Sequence, residues 1–436
     1  MYILNYLYFC IITGFGIKFL SQKQGLLVNP LRRKQYMLLS GPELFWILTF
    51  STGLLAFSAP GVLDLMAIRL LALEIMCFAG IFMVKHKPVW SFSVTFYLFY
   101  LIWLIIGLAY TPSVMYGFRV ILKYLYPFVI MLFASTVVRN KEVFLKAGIG
   151  ARWVASISLI FSFVPFISIL VGGVFWAGTA MAIHYISITV FSLTLYYYGG
   201  RKKQDLWFSI LFMLPCIIWV FRTSIMGTTL ALATFFFFRY KIRSIPFIAF
   251  VALLFLVVVF TVPSVKKKMF VKDEGKDMAQ LRSGEITMDD VNSNGRFAMW
   301  EWSLKNFYTE KKITGSGTGN LQEVFYSLKH PFGQIRICHN DYVQILCDNG
   351  LPGLVLFGVA FLFLIVHSFL VFQNKRYSTA IRICAIIAGS TTAGVLLTLY
   401  TDNVINYSMA TISYPCGFYG MMLGLIQGAK KEKYAV

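Results

Sequence analysis

The sequence predicts an all-α, polytopic membrane protein of about 12–13 transmembrane helices with one large extracytoplasmic helical loop. Three observations predict it. First, 58% of the 436 residues are hydrophobic and only 13% are charged, too apolar a balance for a soluble domain of this length. Second, apolar runs recur at roughly 17–25 residues, the length that crosses the hydrocarbon as helix. They lack the period-two alternation of an outer-membrane barrel. Third, the polar chemistry is gathered in one place: residues 264–349 hold 11 of the 18 acidic residues.

Taken in order, ten apolar stretches precede that loop: 2–20, 43–58, 62–84, 90–109, 116–137, 153–173, 176–198, 206–221, 224–238 and 244–263. Three follow it, at 350–372, 381–400 and 405–427. The chain therefore divides into N-terminal helices (1–263), a loop carrying the chemistry (264–349) and C-terminal helices (350–436). Basic clusters fix the expected orientation. They lie after the first span (Lys18 to Lys34), at Lys85 and Lys87, from Arg139 to Arg152, at 201–203, from Arg239 to Arg243, at Lys375, Arg376 and Arg382, and at Lys430 to Lys433. These clusters hold more than half of the 39 Lys and Arg and fall on alternate connections, the positive-inside pattern. The net charge of +21 is thus topological, and nucleic acid is excluded as the partner it would otherwise imply. With the clusters inside, the 264–349 loop and the turns near 110–117, 222–223 and 401–406 face outward. If all thirteen stretches span, the N-terminus is outside; a first helix that does not span puts it inside.

The seven cysteines show no zinc spacing, and five lie in apolar segments as small hydrophobes. No cleavable signal peptide and no inverted repeat of the transporter kind is read from the chain.

Within the loop, 266–294 is charged and rich in Gly, Asp and Ser, and reads as irregular. From Arg296, the spacing of Phe297, Trp300, Leu304 and Phe307 predicts a helix lying on the membrane surface. Gly315, Gly317 and Gly319 break it, and a further helix is expected to start near 339–341. The glycine run lacks the Gly-Lys-Ser/Thr of a P-loop, so a flexible turn is favoured over a phosphate cradle. Asp289 and Asp290 are read as solvated carboxylates, and no metal-ligand spacing or Ser/His/Asp set appears.

His339 leads the candidates. It sits where a helix begins, capped by Asn340 or Asp341, and the positive end of the helix dipole favours a neutral ring able to accept a proton. The alternative is an interfacial histidine that only caps. Arg222 lies between two apolar runs with no acidic neighbour in sequence, so it faces a cavity or an anion, or snorkels to lipid phosphate. Arg119 and Lys123 sit one turn apart at an outer helix start, and Arg296 opens the surface helix. Four cations with few local carboxylates suit a diphosphate, and arginine's planar fork suits it best. Asp402 and Asn403, in an outer turn, either orient a hydroxyl or cap, with capping the favoured role.

The chain resembles the O-antigen ligase and O-antigen polymerase superfamily over about residues 220–360. The resemblance runs through Gly295-Arg296 with Trp300 and Trp302, then Gly315-x-Gly317-x-Gly319. It continues in His339-Asn340-Asp341-Tyr342-x-Gln344-x-Leu346 and in Asn349-Gly350-x-Pro352-Gly353-Leu354 at the start of a span. Arg222 matches the family's intramembrane arginine, although Phe221 precedes it where serine is common. The resemblance implies a metal-independent, inverting glycosyltransferase without a cofactor, in the bacterial inner membrane. Its donor would be a glycan on undecaprenyl diphosphate. His339 would be the base, Arg222 and Arg296 the diphosphate ligands with Arg119 and Lys123 beside them, and Asn340, Tyr342 and Asp402 the supporting residues. The expected product is a surface polysaccharide lengthened by polymerisation, with a flippase and a chain-length regulator as expected partners. Ligation of the finished glycan to lipid A core or another acceptor is the first alternative. Transport of a polyprenyl-linked glycan or a solute is the second.

Overall fold

In the computed structural model the chain is a bundle of apolar helices with a small helical cap. The structure describes residues 38–56, 65–84, 86–164, 174–219, 221–263 and 295–434, with short pieces at 10, 13–14, 16–18, 26–27, 266–267, 270 and 283. Most of the predicted first span and the 271–294 segment, with Asp289 and Asp290, lie outside the described residues.

Helices α1 (Gly41–Ser51), α2 (Leu65–Met83), α3 (Phe92–Leu108), α4 (Val114–Val137) and α5 (Lys141–Phe163) come first. Then follow α6 (Thr179–Tyr198), α7 (Lys203–Ile218), α8 (Arg222–Tyr240) and α9 (Ile245–Thr261). The cap contains α10 (Arg296–Phe307) and α11 (Asn320–Tyr326), and α12 (Asp341–Gln373), α13 (Thr379–Leu399) and α14 (Ser413–Tyr434) complete the bundle. Among the described residues the one ladder is a two-residue antiparallel pairing of Leu26–Leu27 with Leu38–Leu39.

Five helices, α4, α5, α6, α12 and α13, are each long and apolar enough to cross a membrane, with the shorter apolar α3 beside them. Their flanks explain their limits. Ser91 accepts from the Val94 N–H to start α3, and Asn140 accepts from Val143 at 2.9 Å to start α5. That cap starts α5 at Lys141, well before the predicted 153. Farther along, the buried Arg152 is paired with Asp205 Oδ1 at 2.5 Å and lies over the Phe208 ring.

The bundle interior is one continuous apolar core, with α4 packed along α14, and α13 in contact with α6, α8, α12 and α14. A second, smaller core lies in the cap: Met299, Trp300, Leu321, Phe325, Cys338, Val343 and Cys347 close over one another. The surface helix expected from Phe297, Trp300 and Leu304 is therefore α10, and its apolar face meets the first turns of α12.

One connection departs from its predicted course. The stretch 405–427 was expected to be a span, but the helix starts only at Ser413. Residues 401–412 form a compact turn with a short 3-10 helix over Val404–Tyr407. Its polar groups bind residues at the start of α12, so this turn builds the site.

Candidate active site

His339 immediately precedes α12. Asn340 is the cap, its side chain accepting from the Val343 N–H at 3.0 Å, and it is buried together with Asp341. His339 takes a left-handed backbone (φ 53°), unusual for a non-glycine residue and a mark of a position held by its surroundings. The hold is visible. Its N–H donates to Asn403 Oδ1 at 2.5 Å, and its Nδ1 lies 3.0 Å from Asp402 Oδ1. The side chain remains 29% exposed although its Nδ1 edge is anchored.

Asp402 is the hub of this arrangement. Besides His339 it accepts from the Tyr407 hydroxyl at 2.7 Å on Oδ2 and from the Asn403 N–H at 2.8 Å on Oδ1. Burial pushes its carboxyl up, but the hydrogen bonds from His339 and Tyr407 outweigh it and hold the group below the usual carboxylate range. Asp402 is thus an anion fixed against the imidazole. Asp341 holds the turn from below, accepting from Asn403 Nδ2 at 3.0 Å and from the Ile405 N–H at 3.2 Å.

The cations fall into two places. Arg296, at the first turn of α10, donates to the Thr401 carbonyl, one peptide bond from Asp402. The Thr401 hydroxyl donates to that of Thr223 at 2.9 Å, which ties the start of α8 to the same turn. Arg222 opens α8, is half-buried, and feels the positive charge of Arg296. Two guanidinium groups that repel each other thus lie near the turn that anchors the histidine. Arg119 and Lys123 instead line a cavity of about 160 Å³ in which Tyr407 forms part of the wall. Lys123 Nζ donates to Asn406 Oδ1 at 2.7 Å, and the Arg119 guanidinium lies 5.2 Å from the Tyr116 ring centroid.

Tyr342, expected to support the site, has its hydroxyl committed elsewhere: it donates to the Leu396 carbonyl at 2.7 Å and joins α12 to α13. The glycine run is a buckle rather than a flexible turn. Gly315, Gly317 and Gly319 all have positive φ, and the Ser316 and Gly317 N–H groups donate to the carbonyls of Cys347 and Asp348. Asp348 accepts from the N–H groups of Gly319 (3.0 Å) and Leu321 (2.8 Å), so a side-chain carboxylate fills the place a phosphate would take. Thr318 then donates to the Leu104 carbonyl at 2.8 Å and locks the cap onto α3.

Gly350 breaks α12 with φ 67° and ψ −172°, a conformation essentially restricted to glycine, and Pro352 restarts the helix two residues on. A Cβ at Gly350 would collide with the Ile313 carbonyl. Gly350→Ala is expected to destabilise the fold by roughly 3 kcal/mol. It should lower the thermal midpoint of the detergent-solubilised protein; an unchanged midpoint would show that the kink relaxes freely.

Tyr407, Thr401 and Thr223 are residues of this cluster that sequence reasoning missed. Asn403 is singled out there with Asp402, but nothing in sequence marks Tyr407, whose role depends on where the 401–412 turn folds. No group of three or more His, Cys, Asp or Glu able to hold a metal occurs among the described residues.

Residues 207–358 match the family model described as O-antigen ligase, which bears out the resemblance to the O-antigen ligase and polymerase superfamily. Comparison with curated proteins finds no match. The family match and the apolar helices together support a multi-pass membrane enzyme of the O-antigen ligase or polymerase type, acting on lipid-linked glycan.

Proposed function

We propose, with the O-antigen ligase match as premise, that the protein transfers a glycan from undecaprenyl diphosphate to a sugar hydroxyl at the outer face of the bacterial inner membrane. The observation that carries this reading is the anchored His339–Asp402 pair beside Arg296 and Arg222. With the Nδ1 proton directed to Asp402, the Nε2 lone pair takes the proton of the acceptor hydroxyl. The freed oxygen attacks the donor's anomeric carbon from the face opposite the leaving group. The new glycosidic bond forms, the bond to the phosphate oxygen breaks, and the anomeric configuration inverts. Arg222 and Arg296 bind the departing diphosphate and stabilise its growing charge. The residues that do this are all supplied by the chain, and no metal or cofactor enters the step.

Asp402 is the positioning residue. Asp402→Asn is expected to lower turnover by about 10²–10⁴-fold, since an amide no longer fixes the ring's tautomer. The native carboxylate's contribution to stability is present above the ordinary carboxylate pKa, about 3.9. It is lost as pH falls from there through the lower folded value. An Asp402→Asn enzyme with native turnover would reduce the pair to a structural contact.

The experiment that tests the function is reconstitution of the full chain in lipid with a defined undecaprenyl-diphosphate oligosaccharide. Lengthening of that glycan in the absence of another acceptor is expected if the chain is a polymerase, the outcome we favour. Transfer only to lipid A core makes it a ligase. Movement of unmodified lipid-linked glycan across the bilayer, without a new glycosidic bond, would make it a transporter.

A further inference from the structure

We infer that Tyr407 is a positioning residue for the transfer chemistry: by donating to Asp402 it limits how strongly that carboxylate holds a proton on His339, and so keeps the base free over a wider pH range. The inference rests on the reading of His339 as the base and adds the residue that sets its working pH. Asp402 divides its two oxygens. Oδ1 takes the Nδ1 edge of His339 at 3.0 Å and the Asn403 N–H at 2.8 Å. Oδ2 takes the hydroxyl of Tyr407, the last residue of the short 3-10 helix, at 2.7 Å. Tyr407 thus touches the base only through the carboxylate that orients it.

The hydroxyl is placed to remain a donor. Burial, with the Asp402 charge beside it, pushes the Tyr407 hydroxyl well above its ordinary range, so it keeps its proton at any working pH. The rest of the residue is held independently. Its ring packs 5.8 Å from the Trp176 ring, and its carbonyl accepts from the Ala410 N–H at 2.9 Å and the Thr411 hydroxyl at 3.0 Å. Ring packing and backbone bonds hold the turn without the hydroxyl, so its bond to Asp402 is a charge-assisted contact beyond what the turn's shape needs. Its effect is electrostatic. Burial pushes the Asp402 carboxyl up, while the bonds from His339 and then Tyr407 bring it down. A carboxylate that shares its charge with a phenol is a weaker partner for an imidazolium. Without the phenol, that charge turns to His339, and the ring keeps its proton to higher pH, where it cannot act as a base. The charged groups around the relay are Asp341 on α12, Arg296 on α10, Arg222 on α8, and Arg119 and Lys123 on α4. Removing one hydroxyl leaves their field in place, so a shift between variants reports the hydrogen bond.

The test is acylation of His339 by diethyl pyrocarbonate, which attacks only the neutral ring, on the full chain in lipid nanodiscs. Peptide mass spectrometry reads the rate at His339 across pH. Tyr407→Phe keeps the ring and loses the hydroxyl. In that variant the midpoint of the profile is expected to move up by about half to one pH unit, roughly a threefold to tenfold change in protonation from one hydrogen bond. Replacing Tyr407 with 3-fluorotyrosine, whose phenol is the stronger donor, should move it down. The acid limb of glycan transfer should follow in both variants. In an Asp402→Asn background, Tyr407→Phe should leave the midpoint where Asp402→Asn alone puts it. An unchanged midpoint in Tyr407→Phe, shifts of the same sign in both Tyr407 variants, or a full shift that survives in Asp402→Asn would overturn the inference. Acylation requires no turnover. Failure of His339 as the base would show as native transfer in His339→Asn, separately from the Tyr407 shift.

Discussion

Replacing His339 with alanine is expected to lower glycan transfer by about 10²–10⁴-fold, the usual value of a positioned base. Insertion and folding should survive. The backbone at this position is left-handed, so alanine carries some strain that is independent of chemistry. Asparagine tolerates that conformation better and still cannot act as the base, which makes His339→Asn the cleaner partner experiment. Both variants should insert normally and fail in the reconstituted transfer assay. Native turnover in either would remove His339 from the mechanism, whatever its hydrogen bonds.

The second large effect concerns the two guanidinium groups. Arg222→Lys preserves the charge yet removes the planar fork that engages phosphate oxygens in pairs. Loss of one charge-assisted contact predicts a decrease of roughly tenfold to a hundredfold in kcat/KM for the lipid-linked donor. Arg296→Lys should be at least as damaging, because Arg296 also ties α10 to the Thr401 carbonyl and so holds the turn that carries Asp402. The KM for the acceptor should change little in Arg222→Lys. A variant with full activity would leave Arg222 as a lipid-headgroup anchor.

These expectations show which parts of the molecule the sequence makes legible. The spans are readable because hydrocarbon imposes a length and a composition on any helix that crosses it. α10 is readable because Phe297, Trp300 and Leu304 repeat with the helical period and bury against the 338–347 segment. Arg222 stands out as a costly residue between apolar runs, and His339 and Arg296 stand out by their places at helix starts in the polar loop. What cannot be read is pairing over distance. Asp402 lies 63 residues from His339, and its choice between capping and orienting depends on a turn that local apolarity disguises as helix. The 405–427 stretch is apolar enough to span, yet Tyr407 and Asn406 are spent on Asp402 and Lys123, and the helix starts after them. The glycine run shows the same limit: its spacing is visible, but the role of Asp348 in filling it requires the fold.

The central claim is that one anchored imidazole activates the acceptor hydroxyl in the same site where two guanidinium groups hold the donor's diphosphate. Electron cryo-microscopy of the protein with undecaprenyl diphosphate tests it most directly. The account predicts phosphate density in contact with both Arg222 and Arg296, with the Nε2 edge of the His339 ring facing the side from which the sugar departs. Phosphate density elsewhere on the molecule, or a diphosphate walled off from His339 by protein, would contradict it.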